Sequence, residues 1–116
     1  MRQRILGSVA VLSLALLASC VYVANMPPVA SFTATPAVGT TPLDVSLDAT
    51  ASSDPDGDLV AFVWSFGDGQ TSSTSAFPFV HEFTVQSEAR TFTIVLTVTD
   101  DGGAVDTAVQ YVTVNP

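Results

Sequence analysis

Three stretches of this chain alternate apolar and polar residues with a period of two, the pattern of a β-strand buried on one face. Leu43, Val45 and Leu47 are separated by Asp44 and Ser46 and followed by Asp48, while Phe62, Trp64 and Phe66 share one parity. Phe92, Ile94, Leu96 and Val98 make a third row. Successive side chains on a strand point to opposite faces, so each row lines one side of a sheet. The segments 29–35, 43–48, 59–66, 79–85, 91–99 and 105–114 are all rich in Val, Thr, Phe and Ile, with turn residues between them. Six such segments and no comparable helical period predict an all-β sandwich. In the last segment Val105, Val109 and Tyr111 favour one parity and Ala108, Val112 and Val114 the other, which predicts a β-bulge near its middle.

The N-terminus is built differently. Arg2 and Arg4 precede an apolar run from Ile5 to Leu17, followed by Ala18, Ser19 and Cys20, the only cysteine. The run is shorter than the roughly 20 residues needed to span a bilayer. Basic start, apolar core and small residues make residues 1–19 an expected signal peptide, including its helix, that is removed on maturation. The segment resembles the lipobox of bacterial lipoproteins, which implies a covalent lipid (palmitate among its acyl chains) on Cys20 and a protein anchored to a membrane outside the cytoplasm. Residues 20–28 are then a linker and residues 29–116 the folded domain. Val21 after the cysteine resembles lipoproteins sent to the outer membrane in Gram-negative cells.

With the signal removed, Arg90 is the one strong base against 11 carboxylates. A chain so acidic lacks the cations that neutralise phosphates, which excludes nucleic acid as a partner. It also has no second cysteine, so packing, with or without a metal, must hold the domain together.

The run Trp64-Ser65-Phe66-Gly67-Asp68-Gly69 is preceded by Asp54-Pro55-Asp56-Gly57-Asp58 and followed by His81-Glu82-Phe83 and Leu96-Thr97-Val98-Thr99-Asp100. Together these resemble the polycystic kidney disease (PKD) domain from Asn25 to Pro116. The resemblance implies an immunoglobulin-like Greek-key β-sandwich used outside the cell as a spacer or binding module. Ser65 stands where the family usually has Asp, and Val85 to Arg90 replaces its usual Pro-Gly turn with a longer polar segment.

Few residues offer chemistry. Asp68 lies in a Gly-Asp-Gly step suited to a tight turn, with the Asp-Gly pair expected to take positive φ. His81, the only histidine, has no second His or thiolate to complete a zinc or copper set, and the resemblance implies that it packs within the sandwich with Phe83. No Gly-x-Ser-x-Gly elbow is present, and a domain this small offers little cleft, so the chain is read as non-enzymatic. The oxygen-rich set is the best candidate site. Asp54, Asp56 and Asp58 alternate in one loop and Asp100-Asp101 follow another strand, donors that suit calcium, although the spacing is not that of an EF-hand. The ends of an immunoglobulin-like sandwich bring Asn25, Asp54 to Asp58 and Asp100-Asp101 together. Resemblance to calcium-binding PKD-like domains implies Asn25, Asp54 and Asp100, with Asp56, as the metal set, and solvated turn caps are the alternative.

Phe77-Pro78-Phe79 is either core packing on an edge segment or an exposed aromatic contact for a partner. The whole reads as a lipid-anchored envelope module for protein or glycan binding, or as a structural spacer or subunit of a larger surface assembly. Cys20 to Asn25 spans only about 16 Å when extended, which turns the acidic end toward the membrane.

Overall fold

The computed structural model describes residues 23–116, and the signal segment and Cys20 lie outside them. Eight strands follow in order: β1 (Thr33–Thr35), β2 (Val38–Thr40), β3 (Leu43–Asp48), β4 (Leu59–Ser65), β5 (Thr71–Ser73), β6 (Phe79–Phe83), β7 (Arg90–Asp100) and β8 (Val105–Asn115). They form a three-stranded sheet ordered β1-β3-β6 and a five-stranded sheet ordered β2-β8-β7-β4-β5, an all-β immunoglobulin-like sandwich. Among the described residues no helix is long and apolar enough to cross a membrane.

The three alternating rows supply the interior. Val45 and Leu47 from one sheet face Trp64, Phe92, Ile94, Leu96 and Val98 from the other, and all are fully buried or nearly so. Each large apolar side chain removed from water contributes about 1.5–3 kcal/mol. Phe32 and Phe79 set their rings edge-on to Trp64, with centroids 5.0 and 5.1 Å away, an arrangement favoured by aromatic quadrupoles. The Trp64 indole nitrogen is buried without a hydrogen-bond acceptor in this aromatic cage.

The structure departs from the sequence pattern at several points. Only Thr33–Thr35 of the first segment is a strand, because the chain ahead of it makes one isolated bridge, Val29 to Ser53. The chain then changes sheets after β1, and β2 runs parallel to β8, with Thr113 donating to the Ala37 carbonyl and Thr41 to that of Asn115. No bulge interrupts β8. Its ladder with β7 is continuous from Thr99–Val105 to Arg90–Val114, so Val112 and Val114 face the core and Val105, Val109 and Tyr111 face solvent. The register shift lies in β4 instead, between Leu59 and Ala61.

The outer face of the three-stranded sheet places Asp44 directly opposite Glu82. Like charges so paired destabilise a sheet, and Glu82→Lys converts repulsion to attraction. Urea denaturation of this variant should show a gain of about 0.2–1 kcal/mol that shrinks in high salt.

Candidate functional site

The loop from β3 to β4, the end of β7 and the segment ahead of β1 meet at one end of the sandwich. One carboxylate oxygen from each of Asp54, Asp56 and Asp100 falls within a set no more than 4.8 Å apart. Asp100 is only 1% exposed. Its Oδ2 accepts from the Asn25 side-chain amide at 2.9 Å, and its Oδ1 accepts from the Gly102 and Ala104 amides at 3.0 and 2.8 Å. Burial pushes its pKa up, but the hydrogen bonds from Asn25 and the turn amides outweigh that and hold it below the ordinary carboxylate value.

Asp54 has the opposite balance. Both its oxygens are buried and neither receives a hydrogen bond of normal geometry. Burial first, then the charges of Asp100 and Asp56, raise its pKa. Asp56 is exposed and accepts from the Met26 amide at 2.8 Å. The sequence-derived set of Asn25, Asp54, Asp56 and Asp100 is therefore brought together, with Asn25 bracing Asp100.

Two glycines make room for it, and sequence reasoning missed both. A Cβ on Gly102 would stand 2.6 Å from the Asn25 side chain, and one on Gly57 would stand 2.5 Å from the Asp101 carboxylate and 3.0 Å from that of Asp54. Their signal was only their place directly after aspartates.

At the opposite end the Trp-x-Phe-Gly-Asp-Gly run closes β4 toward β5. The positive φ falls on Gly67 and Gly69, at 78° and 92°, while Asp68 keeps a negative one, contrary to the expected Asp-Gly pair. Gly67 is required for a second reason, since a Cβ there would lie 2.6 Å from the Thr93 carbonyl oxygen of β7. Asp68 accepts from the Gln70 amide at 2.9 Å through Oδ1, and its Oδ2 sits 2.7 Å from His81 Nε2 on β6. The imidazole stacks on Phe66 at 3.8 Å and meets Phe83 edge-on. This motif thus ties one sheet to the other, a pairing that no spacing in the sequence announced.

Phe77 and Phe79 turn inward and pack on the core, where Phe77 also meets Phe62 at 5.0 Å. The partner contact considered for them is thus met by the core-packing alternative.

Residues 25–114 match the PKD domain. The chain belongs to the PKD domain family. Over 69 residues this PKD domain is 38% identical to the pre-pro-metalloprotease PrtV of Vibrio cholerae, a match covering 60% of this chain and 7% of that one. It is similar to the crystal structure of the PKD1 domain of the same metalloprotease, with TM-score 0.60, 35% identity, and 78% and 100% of the two chains covered. It is also similar to a structure from a study of carbohydrate-binding modules of the β-sandwich superfamily, with TM-score 0.72, 29% identity, and 80% and 36% covered. The PKD domain thus spans a small fraction of the curated relative it matches.

Burial raises the Asp68 pKa, but the bonds from His81 and the Gln70 amide outweigh it and leave the value lowered. The ionised carboxylate therefore stabilises the folded state above the ordinary value of 3.8, and that contribution is lost as pH falls through the lowered value. Asp68→Asn should cost about 1 kcal/mol at neutral pH. The gap between parent and variant should close on acidification from about pH 5 to about pH 2, as read by urea titrations at each pH.

Proposed function

We propose that this chain is a lipid-anchored, non-catalytic PKD module of the bacterial envelope, with an acidic end organised by calcium and a ligand that is protein or glycan. The observation that carries the calcium reading is Asp54, a buried carboxylate without a donor, held against two further carboxylates. Leaving such a group unpaired is costly, and hard oxygen donors are what calcium takes, six to eight at a time. Asp54, Asp56 and Asp100 would hold the ion, and Asn25 would fix Asp100 in place. When bound, calcium supplies positive charge that removes the mutual repulsion of the three groups.

The protein or glycan ligand is favoured by the company that PKD domains keep. The relatives include a metalloprotease and a structure studied for carbohydrate-binding modules. The anchor reading rests on the Leu17-Ala18-Ser19-Cys20 run. Asn25 and Met26 follow it closely and are both clasped by the cluster, which turns this end toward the membrane. There calcium would also shield the carboxylates from anionic head groups or bridge to them.

Thermal melts of the full chain in detergent test the metal site. Calcium should raise the Tm by several degrees over chelator, because a ligand that binds only the folded state stabilises it. Asp54→Asn should cross over. The raised Asp54 pKa means that its charge weakens the fold at neutral pH, so the variant should melt higher than the parent in chelator and gain little from calcium. A parent Tm indifferent to calcium would rule the site out.

The anchor has its own test. Cys20→Ser should move the protein from the membrane to the soluble extracytoplasmic fraction, and an unchanged distribution would sink the lipoprotein reading.

A further inference from the structure

We propose that the outer face of the five-stranded sheet is the docking surface for a second copy of this chain. The β7–β8 register places Thr93 beside Tyr111, Val95 beside Val109 and Thr97 beside Thr107, with Val63 of β4 next to Thr97. All of these share the parity opposite to the buried row. At the outward positions of all five strands there is no Asp, Glu, Lys, Arg or His. Every one of the 11 carboxylates lies elsewhere, at the two ends, on the outer face of the three-stranded sheet, or, as with Asp106, on the inward parity of β8, where it accepts from the Ala30 amide.

The neutral face is also where exposed apolar side chains gather. Val38, Val63, Val105, Val109 and Tyr111 are 44–61% exposed and all belong to it. Tyr111 stands near the end of the longest ladder, offering a large ring with a hydroxyl, the kind of residue that anchors interfaces. The hydroxyls of the outer row add polar groups that need no charge, and those of Thr91 and Thr113 already pair at 2.9 Å.

Charge decides the occupant. Two copies carrying so many uncompensated carboxylates repel wherever acidic surfaces meet, and this face lets them approach without opposing one carboxylate to another. The 11-residue strands β7 and β8 are about 36 Å long, and five strands at about 4.8 Å spacing span about 24 Å. With β4 at seven residues and β2 and β5 at three each, the face covers about 550 Å², the scale of a weak, reversible interface and below the roughly 800 Å² per partner of a standard one. Two twisted sheets packed face to face cross at about 30°, the angle used inside sandwiches. The contact is isologous, with one patch serving both copies. It does not depend on calcium.

Sedimentation equilibrium of the full chain in density-matched detergent tests the proposal, run in calcium and in chelator. The parent should be dimeric under both conditions. Val109→Glu, which sets a carboxylate on each copy's docking face, should weaken the dimer by more than about a hundredfold. Val80→Glu is the control, since Val80 is 62% exposed on the opposite sheet, and this variant should dimerise like the parent. Circular dichroism and melting of both variants verify their fold. A monomeric parent at about 100 μM overturns the proposal, as does a dimer that Val80→Glu disrupts as much as Val109→Glu. A monomer retained on a neutral polysaccharide through Val109 and Tyr111 would also overturn it and assign the face to glycan.

Discussion

Two sheets without a disulfide between them stay together only through what their facing side chains do, and here aromatic rings carry that contact. Trp64 and Phe66 on the β4 side meet Phe79, His81 and Phe83 of β6 across the interior. The Asp68–His81 bond closes the same junction at its rim, where the two side chains are only 17% and 12% exposed. The motif that most marks the sequence as a PKD domain is therefore a clamp between layers. Gly67 lets the turn lie against β7, the aspartate holds the histidine, and the aromatic residues fill the space beneath.

Much of this was legible because burial on one face writes itself into a strand as alternation. The rows in β3, β4 and β7 are long enough to show it. Strands β2 and β5 have three residues each, too few for a period to emerge, and they exist because β8 and β4 offer them a ladder. β8 misled for another reason. Both of its faces carry β-prone apolar residues, so parity alone suggested a bulge where the β7 ladder fixes a straight strand. The acidic end was legible through topology, since strand ends in a sandwich of known order must converge. The space left by Gly57 and Gly102, and the reach of His81 to Asp68 across the layers, depend on distances that no spacing encodes.

At the acidic end, neighbouring carboxylates are driven in opposite directions. Asp100 has an amide and two backbone donors, and its charge is supported. Asp54 has none of these and bears the repulsion of its neighbours. Hydrogen bonding thus sets chemically equal groups apart, a settled Asp100 and a strained Asp54, and the strained one is what a bound cation would relieve.

The opposed Asp44 and Glu82 cost the monomer something, and their position shows a compensating use. β6 is the only one of the four edge strands longer than three residues, so it offers the longest row of unpaired backbone groups to a stray chain. Lining up against it would bring the stranger's backbone beside a pair of carboxylates that already repel. Exposed edges of this kind seed aggregation, and charge on the edge is a common safeguard. The repulsion therefore acts as a fence against β-sheet extension, so that growth of the sheet into a fibre is discouraged along the one border long enough to start it.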